Sequence, residues 1–163
     1  DGVKTGYLAV EKYSLASSMK NNDRRLIAVA SGFNTKKLRS SESLKLLNWG
    51  FRNTNTFEIS KKDIAMFELD TWLGEKNKIK VSSKDDHYVT INKKDISHLT
   101  ISLEYDGPIK APVEKGKQVA NIIVSKKDEL IKSVPLYAAE DVKKVNFFRS
   151  LLTSLNYLIW GDV

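Results

Sequence analysis

From about residue 57 to residue 140, apolar and polar residues alternate in short runs. A period of two commits such runs to strands with one buried face. Phe67-Glu68-Leu69-Asp70-Thr71-Trp72-Leu73 carries the pattern, as do residues 78–81 and Thr100-Ile101-Ser102-Leu103-Glu104-Tyr105. Ala120-Asn121-Ile122-Ile123-Val124-Ser125 and Leu130-Ile131-Lys132-Ser133-Val134 flank a charged turn and predict a hairpin. Short strands at this spacing predict a small β-sandwich.

The two ends read differently. Strands are predicted over residues 13–19 and 26–32, joined by the polar turn Lys20-Asn21-Asn22-Asp23. The run Leu26-Ile27-Ala28-Val29-Ala30 is short and wholly apolar, as in a buried strand. Leu44, Leu47 and Phe51 share a helical face and predict a helix over residues 41–52, with Glu42 in its first turn. Asn53-Thr54-Asn55-Thr56 reads as a linker. Residues 141–160 read as a second helix. Val145, Phe148, Leu152, Leu155 and Ile159 form one stripe, and Lys143, Lys144, Asn146, Arg149, Ser150, Thr153 and Asn156 take the other face.

Composition excludes several chemistries. Without cysteine there is no disulfide and no thiolate metal site. His87 and His98 have no neighbouring cluster of ligands in the sequence, so no metal or other cofactor is expected. The net charge of +7 suits nucleic acid, an anionic membrane or an anionic polymer. The basic residues are scattered in pairs, however, with no basic stripe interleaved with aromatics, so nucleic acid is not an expected partner. No signal peptide is visible. The chain opens at Asp1-Gly2-Val3 without an initiator methionine, and the expectation is that it begins part-way through a longer protein.

Lys4-Thr5-Gly6 is the motif with chemical content. On an edge strand it offers an ammonium, a hydroxyl and a residue without Cβ, so that a peptide can lie close against the strand. Its flanks strengthen it: Asp1-Gly2-Val3-Lys4-Thr5-Gly6-Tyr7, then Tyr13-Ser14-Leu15-Ala16-Ser17, then Arg25-Leu26-Ile27-Ala28-Val29. Arg39-Ser40-Ser41-Glu42-Ser43 and Leu46-Leu47-Asn48-Trp49-Gly50-Phe51-Arg52 follow. In order and spacing these segments resemble the low-molecular-mass penicillin-binding proteins, the serine-type D-alanyl-D-alanine carboxypeptidases of peptidase family S11. The likeness is specific over about the first 52 residues and looser beyond. Two positions depart from the family: Glu11-Lys12 stand where a small Ala-Gly pair is usual, and Leu8 where threonine is frequent.

The resemblance implies an α+β chain in three parts. Residues 1–55 would be the C-terminal part of a transpeptidase-like α/β catalytic domain, residues 56–140 a β-sandwich domain, and residues 141–163 an amphipathic membrane-anchor helix. It implies that Lys4 supplies positive charge beside the nucleophile and the substrate carboxylate, and that Thr5 hydrogen-bonds that carboxylate. Gly6 would admit the substrate strand, and the backbone N–H of Tyr7 would be one of two oxyanion donors. Arg39, on the loop before the helix, would bind the terminal carboxylate of a peptidoglycan stem peptide. Phe148, Leu152, Leu155, Ile159 and Trp160 would enter the membrane surface, since the segment is too short and polar to span a bilayer. The implied location is the periplasmic face of the inner membrane, held peripherally.

The nucleophile is the missing part. In the family it belongs to an S-x-x-K motif upstream of Lys-Thr-Gly, with a companion S-x-N. Ser17-Ser18-Met19-Lys20 matches S-x-x-K in letters but falls on a strand end and turn, not at a helix start. Ser154-Leu155-Asn156 matches S-x-N inside the terminal helix. Neither is expected to be catalytic. The expectation is therefore the C-terminal part of a D-Ala-D-Ala carboxypeptidase, inactive alone, with β-lactams acylating only the complete enzyme. The alternative is a truncated, non-catalytic envelope module that binds membrane or a partner protein.

Overall fold

The computed structural model describes residues 2–10, 12–146, 159 and 161. They are mostly β-strand, in two units: Asp1–Thr56 with Thr90–Ile96, and Phe57–Val89 with Ser97–Val163.

In the first unit, β1 (Gly2–Leu8), β2 (Lys12–Asn21) and β3 (Arg24–Phe33) form an antiparallel sheet in the order β1-β2-β3. The β2–β3 turn works because Asn22, at φ 52°, tolerates the left-handed region. Helix α1 (Lys36–Asn53) packs on β2 and β3, burying Ser43 and Leu47. It starts five residues before the apolar period predicts, because the start is set by a cap: Thr35 Oγ1 accepts the N–H of Leu38 at 3.1 Å. Glu42 therefore lies well inside the helix, and its first turn holds no acid.

The far end of α1 corrects a second expectation. Residues 53–56 are not a linker: Asn53 closes the helix and β4 (Thr54–Ser60) begins at once. Thr54 Oγ1 donates to the Gly50 carbonyl oxygen at 2.7 Å. Arg24 donates from Nη1 to the Thr54 carbonyl oxygen at 2.6 Å and from Nη2 to Thr54 Oγ1, with its guanidinium 5.7 Å from the Phe51 ring centre. A fixed cation at a helix C-terminus is favoured by the exposed carbonyls there.

In the second unit, alternation builds the sheet. The strands are β5 (Ala65–Trp72), β6 (Lys78–Ser82), β8 (Leu99–Tyr105), β9 (Ile109–Lys110), β10 (Gln118–Lys126) and β11 (Glu129–Ala138). They lie in the order β8-β10-β11-β6-β5-β9, antiparallel except for the β5–β9 pair. β7 (His87–Asn92) pairs with β4 as a separate two-stranded ribbon, and a 3-10 helix, Lys93–His98, follows it. One face of the sheet carries the core. Ile122 stands opposite Val134, Ala120 opposite Leu136, Leu69 opposite Ile79, and Ala138 opposite Val81, all buried. The predicted β10–β11 hairpin closes through Lys127 and Asp128, both at positive φ. β11 also runs four residues beyond the predicted Val134. Pro135 is tolerated there because β6 pairs only with Tyr137 and Ala138, leaving that part of β11 without a second neighbour.

The terminal segment is corrected at its start. Residues 141–146 are not helical. Val142 bridges Val113 and is buried, Lys144 bridges Gly74, and Val145 N–H donates to the Leu73 carbonyl oxygen at 3.0 Å. Two backbone partners and a core position for Val142 outweigh a helical period that starts only at residue 145. Phe148, Leu152, Leu155 and Trp160 lie outside the described residues; Ile159 is exposed. Among the described residues no helix is long and apolar enough to cross a membrane.

Beside this segment, Glu140 pairs with Lys76 at a half-exposed site. The hydrogen bond from the Lys76 ammonium holds the Glu140 carboxyl below its usual range. A lowered folded-state value stabilises above the unfolded carboxylate pKa, about 4.3, and the contribution is lost as pH falls through the folded value. Glu140→Gln should thus cost at most about 1 kcal/mol at pH 7, since solvent screens the pair. Urea midpoints of the two proteins should converge as the pH drops below about 4.

Candidate active-site strand

β1 is an edge of its sheet: β2 pairs with it on one side, and no strand pairs on the other among the described residues. Such an edge offers backbone donors and acceptors to an extended peptide. Lys4 and Thr5 are exposed on it. Gly6 faces Ser14 in register, and a Cβ at Gly6 would stand 2.7 Å from Ser14 Oγ. A side chain there would have to displace the Ser14 hydroxyl, which a rotation about its Cα–Cβ bond can do.

The next pair leads to Arg39. Tyr7 stands opposite Tyr13, their ring centres 4.7 Å apart and tilted by 44°. Arg39 Cζ lies 5.9 Å from the centre of the Tyr13 ring. Arg39 is not on a loop, as expected, but in the first turn of α1, where its N–H donates to the Thr35 carbonyl oxygen at 3.0 Å. The Thr35 cap thus sets both the helix start and the place of this side chain. Lys12 Nζ donates to Asn34 Oδ1, tying the β1–β2 turn to the residues just before the cap. Lys4, Thr5, Gly6 and Tyr7 share one strand, and a ring contact joins the end of that strand to Arg39.

The S-x-x-K look-alike is occupied with structure. Ser17 is buried in β2 and donates to the Ala28 carbonyl oxygen at 3.3 Å, while Ser18 Oγ accepts from Arg25 Nη1 at 2.6 Å. Among the described residues no group of three or more His, Asp or Glu is placed to hold a metal.

Charge is divided between the units. Asp1–Thr56 with Thr90–Ile96 holds twelve Lys and Arg against five Asp and Glu, whereas the remaining residues hold fifteen of each. The whole net charge of +7 lies in the unit that carries Lys4 and Arg39, a field suited to an anionic ligand.

Two neighbours of the site escaped the sequence reading: Ser14 as the close contact of Gly6, and Tyr13 as the bridge from Tyr7 to Arg39. A hairpin register carried through a turn centred on residue 10 would have set 6 against 14 and 7 against 13. Gly6→Ala should lower stability by no more than about 1 kcal/mol, since the Ser14 hydroxyl can rotate away. Ser14→Ala in the same chain, which removes the Oγ, should restore most of it; equal urea midpoints for the single and double variants would show that the contact is harmless.

Comparison with known proteins adds an independent line. The family model described as penicillin-binding protein 5, C-terminal domain, matches residues 55–144. D-alanyl-D-alanine carboxypeptidase DacA of Haemophilus influenzae is 35% identical over 153 residues, 93% of this chain and 39% of that protein. D-alanyl-D-alanine carboxypeptidase DacC of Escherichia coli is 34% identical over 149 residues, 91% of this chain and 37% of that protein. The crystal structure of penicillin-binding protein 5 from Haemophilus influenzae superposes with a TM-score of 0.76 at 33% identity, over 87% of this chain and 42% of that one. The chain thus spans about two fifths of the length of these relatives. It belongs to the penicillin-binding protein 5 family of D-alanyl-D-alanine carboxypeptidases and carries that family's C-terminal domain.

Proposed function

We propose that this chain supplies one wall of the active site, the β-domain and the membrane anchor of a serine D-Ala-D-Ala carboxypeptidase. The reaction removes the terminal D-alanine from peptidoglycan stem peptides through a serine acyl-enzyme, with the nucleophile and its base outside this sequence. Residues 1–55 belong to the transpeptidase-like catalytic domain on this reading, and residues 56–140 to the β-domain. The observation that carries it is the edge of β1, unpaired on one side among the described residues, bearing an exposed Lys4 and Thr5 followed by Gly6.

The roles follow from the groups. The stem peptide lies along β1, its backbone pairing with the strand edge. Lys4 places an ammonium beside the serine and the terminal carboxylate, lowering the cost of charge at both. The Thr5 hydroxyl donates to that carboxylate, and Arg39 meets it with a planar fork able to give two parallel hydrogen bonds. As the serine Oγ attacks the scissile carbonyl, negative charge gathers on the carbonyl oxygen. The N–H of Tyr7 is one of two donors aimed at it, a contribution worth roughly 3 kcal/mol in sites of this kind. The base that takes the serine's proton returns it to the departing nitrogen as the tetrahedral intermediate collapses and expels D-alanine. Water then hydrolyses the ester and releases the shortened peptide. A β-lactam enters the same path, its ring opening on the serine, and stays bound as an ester.

The natural polypeptide should have a mass well above 18.4 kDa, take up labelled penicillin covalently and release D-alanine from a pentapeptide. The 163-residue chain alone should do neither. A stable penicillin adduct on the isolated chain, seen by mass spectrometry, would refute this division and bring Ser17 back. A natural mass near 18.4 kDa would favour the non-catalytic envelope module instead.

The anchor is part of the same reading: residues 147–163 lie on the periplasmic face of the inner membrane, with Phe148, Leu152, Leu155, Ile159 and Trp160 in the interface. Deleting them should abolish co-sedimentation with anionic vesicles. The cut belongs after residue 146, since Val142 is in the core of the β-domain. Unchanged co-sedimentation would sink the anchor.

A further inference from the structure

We propose that Tyr13 is a positioning residue of the carboxylate site, acting through Arg39. The inference rests on the reading above in which Arg39 binds the terminal carboxylate of the substrate. Arg39 leaves the first turn of α1 and reaches β2, where its Cζ stands 5.9 Å from the Tyr13 ring centre. Its Nε is buried and, among the described residues, has no hydrogen-bond partner. Among the described residues no polar group steers the guanidinium through that nitrogen, and the Tyr13 ring is a contact that can.

Orientation is what this arginine needs. A carboxylate fork is matched only when the guanidinium plane is presented edge-on, and a long side chain otherwise spreads over many rotamers. An aromatic ring within cation–π range of the guanidinium favours the rotamers that keep the contact. The ring itself is held. It stands opposite Tyr7 in register, with ring centres 4.7 Å apart. One side chain therefore sets the distance between Arg39 and the strand residue whose N–H faces the oxyanion. The contacts are made by the ring, so phenylalanine should serve in its place.

The test uses the natural polypeptide carrying Tyr13→Leu or Tyr13→Phe, with circular dichroism to establish folding. With a peptide ending in D-Ala-D-Ala and a free carboxylate, Tyr13→Leu should raise KM about fivefold, the size a partly exposed cation–π contact supports. Tyr13→Phe should stay within about twofold of the wild type. An unchanged KM in Tyr13→Leu, or an equal loss in Tyr13→Phe, overturns the role of the ring. A wild type that releases no D-alanine overturns the carboxypeptidase reading, and this role with it. A second measurement is independent of activity: the Nε–H proton resonance of Arg39 should carry a ring-current shift in the wild type and in Tyr13→Phe that vanishes in Tyr13→Leu. If it stays put in Tyr13→Leu, the ring does not hold the guanidinium.

Discussion

Ile79, Val81, Val124, Val134 and Leu136 have no accessible surface, and the β-domain depends on that. On a pleated strand a slip of one residue would turn the whole set outward. Burying each such side chain contributes about 1.5–3 kcal/mol, so register is defended by far more than any local preference. The β10–β11 turn illustrates the balance. Lys127 and Asp128 both sit at positive φ, where a residue with a Cβ loses about 1–2 kcal/mol. The hairpin accepts this strain because the alternative unpairs Ile122 from Val134 and Ala120 from Leu136. Pro135 is admitted on the same terms, at the stretch of β11 where β6 makes no demand on its nitrogen.

The first unit has the opposite character. β3 is apolar on both faces: Ala28 is covered, while Ile27 and Val29 on the other face are 70% and 77% exposed. A strand that reads as a continuous apolar run is ordinarily covered on both sides. Only α1 provides a layer among the described residues. A three-stranded sheet with one layer and a bare edge invites association. These features support the reading in which β1, β2 and β3 belong to a larger sheet, and weigh against the 163 residues as a self-sufficient module.

Much of this was legible in the sequence, and the failures share a cause. Strands with one buried face announced themselves by alternation, as at Leu69 to Thr71 and Ile79 to Val81. Lys4-Thr5-Gly6 was legible because a motif and its flanks occur together. What was missed depended on contacts distant in sequence. The start of α1 is governed by a hydroxyl cap at Thr35, which leaves no apolar period behind it. β4 begins where Asn53-Thr54-Asn55-Thr56 looks like a breaker, because Arg24, thirty residues earlier in the chain, binds Thr54. Residues 141–146 resemble the front of an amphipathic helix, yet Val113 and Gly74 hold them extended. In each case a local pattern was outvoted by a partner that no window of sequence contains.

The site obeys the same rule, and this explains why its residues can be named more easily than its geometry. Lys4, Thr5 and Gly6 are placed by one strand, so their spacing is contained in the motif. Arg39 is placed by a helix cap, a turn tied through Lys12 and Asn34, and a ring on the neighbouring strand. On the proposed reading an anionic substrate is drawn by the charge of the whole unit, an attraction that falls off slowly and tolerates small displacements. A bidentate hydrogen bond tolerates very little. Long-range attraction can thus be spread over twelve scattered basic residues, whereas recognition of a terminal carboxylate requires one guanidinium held in one orientation. On the proposed reading, the contacts from Tyr7 to Tyr13 and from Tyr13 to Arg39 are where the first unit converts diffuse positive charge into directed binding.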